Sequence, residues 1–197
     1  MTARTVSDRQ LEIIEAAGKI LTASGVGGLT IKNLAKEMQF SESAVYRHFA
    51  SKEEIIVALL DYLAEDMDER YAKAISPTQT PEEKFIAIFQ NQFSFFSSHP
   101  YFVVAVFSDG LMEESHRVNE TIIKIMEVKM KHLMPIIKEG QQKKVFTNTI
   151  TTEELIHIVI GAMRLQMFKW RVSNFQFDIN RNGNNLIQSV LMLLKNK

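Results

Sequence analysis

Apolar residues recur at spacings of three and four along almost the whole chain, and glycine and proline are scarce, at 8 and 4 of 197 residues. That period belongs to α-helices with one buried face, so the pattern predicts an all-α protein. Helix starts are marked by capping chemistry, in which a Ser or Thr oxygen accepts an orphan backbone N–H and a Glu or Gln three residues on returns the bond. Ser7-Asp8-Arg9-Gln10 opens a helix with Leu11, Ile14, Ala17 and Leu21 on one face, and Val6 and Leu11 staple its start. It is expected to stop near Gly25, where Gly25, Gly27 and Gly28 cluster. Thr30 caps a short helix from Ile31 to about Met38, and Ser41 caps another to about Phe49. Ser51-Lys52-Glu53-Glu54 opens a long helix to about Lys73, striped by Ile55, Ile56, Leu59, Leu60, Leu63 and Met67.

Ser76 to Gln79 reads as a connector. Thr80-Pro81-Glu82-Glu83 then combines a cap, a first-turn proline and a capping-box glutamate, opening a helix to about Ser98. Pro100 starts a shorter helix that ends near Gly110. A further helix spans about Glu114 to Glu139, with a kink expected at Pro135 and a stop at Gly140. Thr151-Thr152-Glu153-Glu154 opens a helix to about Val172. The last helix begins between Asp178 and Asn184 and carries Gly183, a weak helix former. The total is about nine helices, with no internal repeat.

Residues 31–49 hold two short helices and a tight turn between two longer helices, a helix-turn-helix pattern. Leu29, Ile31, Leu34, Ala35, Met38, Phe40, Val45 and Phe49 supply a mini-core that fixes the angle between the short helices. The second can then present its N-terminal, outward residues to a major groove. Tyr46, His48 and Lys52 cluster around its end, with donors that suit phosphate oxygens. Thr30 and the N–H groups behind it suit a phosphate at a helix N-terminus. Glu42, Ser43, Ala44 and Arg47 are the candidates for base edges: arginine reads guanine O6/N7, and glutamate accepts from cytosine N4. Arg4 is a candidate for a minor groove, against the plainer reading of a disordered arm. Periodicity alone also allows a compact three-helix piece of a larger bundle.

The stretch Leu29-Thr30-Ile31-Lys32-Asn33-Leu34-Ala35, followed by Ser41-Glu42-Ser43-Ala44-Val45-Tyr46-Arg47-His48-Phe49-Ala50-Ser51-Lys52-Glu53, resembles the signature of the tetracycline-repressor (TetR) family. The Tyr-x-His-Phe-x-Ser-Lys-Glu portion is its most specific part, and the resemblance covers about residues 7–60. It implies phosphate contacts from Thr30, Tyr46, His48 and Lys52, and places Lys32, Glu42, Ser43, Ala44 and Arg47 near bases. One departure is the turn, which usually reads Gly-Val and here reads Gln39-Phe40. Either Gln39 adopts a left-handed conformation, at a cost on the order of 1 kcal/mol, or the turn differs and the recognition helix tilts. Glu42 repels phosphate unless it pairs with cytosine or a neighbouring lysine.

Charge and composition narrow the function. With 23 basic and 23 acidic residues the net charge is zero, so a nucleic-acid surface must be a local patch. The absence of cysteine excludes disulfides, thiolate metal sites and a cysteine nucleophile. The first ten residues have no signal-peptide core, and the apolar stretches Ile55–Leu60 and Leu191–Leu194 are too short to span a bilayer. A cytoplasmic protein without a membrane partner is expected. No Gly-rich phosphate loop or nucleophile elbow occurs, and the histidines lack ligand spacing, so no enzyme, cofactor or metal is expected.

The expected organisation is a DNA-binding domain over 1–52, a connecting helix over 52–73, and a ligand-binding and dimerisation domain over 74–197. In the TetR family the last two helices pair with their symmetry mates. Here they carry Leu155, Ile158, Val159, Ala162 and Leu165, then Leu186, Ile187, Val190, Leu191 and Leu194, which points to a homodimer. The middle region is rich in large soft side chains, including Phe85, Phe95, Met112 and Trp170. The candidate ligand-binding set is Phe89, Phe93, Phe96, Phe102, Phe107, Met126, Met163, Arg164 and Met167, against ordinary core filling. His99, His116 and Gln166 are further polar candidates, and His157 suits an interface or surface. Arg164 pairs either with a carboxylate ligand or with Glu113 or Glu114. The expectation is a regulator, a repressor by the family's habit, that binds a palindromic double-stranded DNA operator as a dimer. A small apolar or amphipathic effector would release it by moving the long helix after Ser51. The alternative is a helical ligand-binding or protein-interaction module whose helix-turn-helix does not bind DNA.

Overall fold

The computed structural model describes residues 6–107, 111 and 115–196. Nine helices occur among them: α1 (Asp8–Gly28), α2 (Ile31–Glu37), α3 (Glu42–Tyr46), α4 (Lys52–Ala74), α5 (Pro81–Ser98), α6 (Pro100–Val106), α7 (His116–Gln142), α8 (Thr152–Val172) and α9 (Ile179–Leu194). Arg4, Gly110, Met112, Glu113 and Glu114 lie outside the described residues. Packing groups the chain differently from chain order. One compact unit holds the chain up to Glu65 together with Pro100–Ile125, and the other holds Asp66–His99 and the chain from Met126 on.

In the first unit Ile13, Ile14, Ala17, Leu21, Leu34, Val45, Ile55, Ile56 and Leu59 form a core at 1% exposure or less. Helix α6 lies against α1 at Gly18, where a Cβ would fall 2.4 Å from the ring of Tyr101. The capping box at Ser7 closes both ways, at 3.1 Å and 3.3 Å. The stop expected near Gly25 is instead a kink. Gly25 takes φ 65 and ψ −168, a conformation open to glycine, and helical turns resume to Gly28. Helix α3 ends at Tyr46, short of the expected Phe49, and His48 closes a tight turn onto the Val45 carbonyl at 2.9 Å.

In the second unit Phe85, Ile88, Phe89 and Phe93 of α5 are buried with Ile136 and Ile137 of α7, Ile156, Met163 and Met167 of α8, and Ile179 and Ile187 of α9. The capping boxes at Thr80 and Thr151 form as expected, and Asp178 caps α9 through the Arg181 N–H at 3.0 Å. Helix α7 does not stop at Gly140. The Phe146 ring lies over that glycine, and the chain reverses at Lys144, which takes φ 57. Val145 and Phe146 then return hydrogen bonds to the Gly140 carbonyl at 2.8 Å and 3.0 Å. Gly140 therefore serves a close ring contact rather than a helix stop. No helix among the described residues is long and apolar enough to cross a membrane.

Candidate nucleic-acid interface and effector groove

The mini-core under the short helices consists of Leu29, Leu34, Ala35, Val45 and Phe49, all at 5% exposure or less. Thr30 caps α2, its hydroxyl accepting the Asn33 N–H at 3.1 Å, and the Asn33 amide reaches back to the Gly28 carbonyl at 2.8 Å. Gln39 takes φ 56, and the Phe40 N–H closes onto the Ala35 carbonyl at 2.8 Å. Of the two outcomes open for the Gln39-Phe40 turn, the left-handed one is realised. Ser41 caps α3 through the Ala44 N–H at 3.2 Å, and its hydroxyl meets that of Ser43 at 2.9 Å.

This framework turns polar groups outward. Thr30, Lys32, Glu42, Ser43, Tyr46, Arg47 and His48 are exposed, while Ala44 and Lys52 are half-buried. Tyr46 keeps 52% of its surface in water, although aromatic rings gain most from burial. Ala44, Arg47 and His48 border one groove of about 310 Å³ together with Arg9, Phe40 and Ser41. Arg9 and Phe40 were not recognisable as part of a site from sequence. The contact between the start of α1 and the end of α3 spans 38 residues, as in the hydrogen bond from the Gln10 amide to the His48 carbonyl, 3.4 Å. No local pattern encodes it.

The residues nominated for an effector pocket divide between the two units. Phe102 and Phe107 belong to the first unit and the others to the second. Phe89, Phe93, Phe96, Met163 and Met167 are filled into the core at 2% exposure or less, whereas Met126 is 48% exposed and Arg164 lies at the surface. The second unit instead opens a groove of about 450 Å³ lined by other residues, including Ile75, Lys84, Lys131, His132, Pro135, Ile136 and Glu139. Lys84 pairs with Glu139 at 2.7 Å. Asp68 accepts from Lys131 at 2.8 Å and lies 2.6 Å from His132 Nε2. Burial pushes the Asp68 carboxyl up, but the hydrogen bonds from Lys131 and His132 win and hold it below the usual carboxylate range. These partners are 55 to 64 residues apart, which is why the sequence did not reveal them.

The remaining histidine candidates are tied locally. His99 lies 3.1 Å from the Phe95 carbonyl, His116 pairs with Glu120 at 3.2 Å, and His157 lies 2.8 Å from the Glu153 carbonyl. Among the described residues no cluster of His, Asp and Glu is arranged to hold a metal.

Helix α8 buries Leu155, Val159, Met163 and Met167 but leaves Ile158, Leu165, Phe168 and Val172 at 53%, 60%, 50% and 64% exposure. Their spacings of seven, three and four place them on one stripe. Helix α9 adds Met192 and Leu193, at 69% and 79% exposure.

A capped helix-turn-helix with exposed hydrogen-bond donors, in an otherwise helical chain, defines a DNA-binding regulator. Residues 13–59 match the family described as bacterial regulatory proteins, tetR family, and residues 61–194 match the YsiA-like protein C-terminal region. The chain belongs to the TetR family of transcriptional regulators, and it is a regulator rather than an enzyme. Nucleoid occlusion factor SlmA of Vibrio vulnificus (strain YJ016) is 23% identical over 183 residues, covering 92% of this chain and 93% of that protein. Among solved structures, the fatty acid degradation regulator FadR from Bacillus halodurans superposes with a TM-score of 0.86 at 16% identity, covering 97% of this chain and 98% of that one. The regulator FadR from Bacillus subtilis, solved in complex with stearoyl-CoA, gives 0.81 at 19% identity, covering 92% and 97%. These structural likenesses are in fold.

Proposed function

We propose that the protein binds a palindromic operator as a homodimer, represses transcription in the cytoplasm, and is released by an amphipathic effector. The observation that carries this reading is the exposed Tyr46, with Arg47 and His48 beside it at the end of a five-residue helix and Thr30 at the cap of the helix before it. Phosphate donors around a short helix are what major-groove docking requires.

The apolar stripe on α8 supports the dimer. Two-fold pairing through α8 and α9 covers Ile158, Leu165, Phe168 and Val172, and it supplies two recognition helices for two half-sites. The groove of about 450 Å³ supports the effector. It sets apolar Ile75, Pro135 and Ile136 beside the ion pairs Lys84–Glu139 and Lys131–Asp68, which an acidic ligand group would open. The solved structure of the Bacillus subtilis regulator carries stearoyl-CoA, an amphipathic anion, which makes long-chain acyl-CoA the effector class to test. Helix α4 starts beside the helix-turn-helix, and Ala72 near its other end lines the groove, so a ligand that shifts α4 moves the reading head.

Selection of binding sites from random DNA tests the reading. It should enrich a palindrome bound by two protomers, with affinity that falls as salt rises and with release by long-chain acyl-CoA. No enriched sequence would favour the interaction-module alternative.

A further inference from the structure

We propose that Arg9, stacked on Phe40, is a further contact to the DNA backbone: it closes an anion groove with Arg47 and His48 that receives one phosphate of the duplex. The proposal rests on the DNA-binding reading above.

The groove has a built wall. The Arg9 guanidinium carbon lies 5.1 Å from the centroid of the Phe40 ring, within reach of a cation–π contact. Phe40 is in turn fixed by its N–H on the Ala35 carbonyl at 2.8 Å and by the left-handed Gln39 before it. The neighbouring Gln10 amide donates to the His48 carbonyl at 3.4 Å, so the first turn of α1 is tied to the residues just beyond α3. The resulting groove, about 310 Å³, is lined by Arg9, Phe40, Ser41, Ala44, Arg47 and His48. Its lining residues are two arginines, a histidine, a serine, an alanine and Phe40, and the carboxylate nearest to them is Glu12, paired with Arg9. The lining sets Arg9, Arg47 and His48 against the recognition helix, while Arg9 and Phe40 also border a second groove with Glu12, Glu15, Lys19 and Glu37, so the positive face is the one toward α3.

The present partner of Arg9 does not stand in the way. Its bond to Glu12, 2.5 Å, joins side chains that are 50% and 53% exposed. An ion pair that open to water contributes little, and a phosphate accepts both arms of the guanidinium fork. The ring at position 40 gives the stack its specificity, because an aliphatic side chain has no negative face for the cation.

The test is fluorescence-anisotropy titration of the selected operator duplex, and of a scrambled one, over a series of salt concentrations. It uses the parent, Arg9→Ala, Arg9→Met, Phe40→Val and Arg9→Ala/Phe40→Val. Arg9→Met keeps an apolar stem on Phe40 and removes only the charge. Both Arg9 variants should weaken the two duplexes by the same factor. Both should also flatten the dependence of log K on log salt by about 0.9 for each bound protomer. Phe40→Val should weaken binding less, and the double variant should be no weaker than Arg9→Ala. Variants of Arg9 that match a DNA-binding parent in affinity and slope would overturn the proposal, as would fully additive losses in the double variant. If the parent binds neither duplex, the DNA-binding reading fails first and this contact with it.

Discussion

Gly183 of α9 sits against the ring of Phe93 on α5, so close that a Cβ at position 183 would lie 2.6 Å from Cδ2 of that ring. Replacing a glycine inside a helix by alanine ordinarily adds about 1 kcal/mol of stability. Here the added methyl meets a ring that is itself 1% exposed and has nowhere to go. Overpacking of this kind costs about 1–3 kcal/mol and decides the sign. Gly183→Ala should lower the urea midpoint of unfolding. A raised midpoint would contradict the packing of α9 on α5.

That contact shows where sequence reasoning ends. The capping boxes at Ser7, Thr80 and Thr151 were legible because each is written within four residues and depends on nothing else. The helix-turn-helix was legible for the same reason, with its caps, its apolar mini-core and the Tyr46-to-Lys52 run lying within about two dozen residues. The roles of Gly140 and Gly183 were not, because each is chosen by a ring from elsewhere, Phe146 in one case and Phe93 in the other. Large apolar residues such as Phe89 and Met167 looked alike as pocket wall and as core, and only burial separated them. The groove charges Lys84 and Lys131 acquire meaning only through Glu139 and Asp68, partners more than 50 residues away.

The Tyr71 hydroxyl donates to Gln92 Oε1 at 2.6 Å inside the second unit, and burial holds the phenol un-ionised well above its ordinary range. Gln92 Nε2 has no hydrogen-bond partner among the described residues. Tyr71→Phe strips the amide oxygen of its bond from the hydroxyl and should cost about 1–3 kcal/mol. Tyr71→Phe/Gln92→Leu removes both polar groups and should be less destabilised than Tyr71→Phe alone. Denaturant melts of the four proteins give the coupling; additive losses would show that the bond contributes nothing particular.

Lys129 is 8% exposed, and burial, aided by the nearby charge of Arg164, lowers its pKa from 10.5 to about 8. The unfolded chain therefore binds the proton more tightly than the folded one, and stability should rise with pH between about 8 and 10.5. Lys129→Met removes the cost of charging a buried amine. It should stabilise the fold at pH 7 by on the order of 3 kcal/mol and lose that part of the pH dependence. Urea melts at pH 7 and pH 9 compare the two proteins, and an unstable Lys129→Met protein would mean that the ammonium is well paired.

Phe168, half-exposed at the centre of the α8 stripe, is the position most sensitive to the proposed pairing. Phe168→Glu places a charge where two copies meet and should shift sedimentation from dimer to monomer. Operator affinity should fall with it, while the helical circular dichroism stays. A variant that remains dimeric would place the interface elsewhere.

In the proposed complex the surface around α3 grips the duplex, and the Tyr46→Phe/Lys52→Ala protein loosens that grip without touching the base-reading positions. Titrated with the selected operator and with scrambled DNA, it should bind both more weakly than the parent by a similar factor, with a shallower salt dependence from the lost lysine. Equal affinity of variant and parent, across salt and across both duplexes, would contradict such a grip.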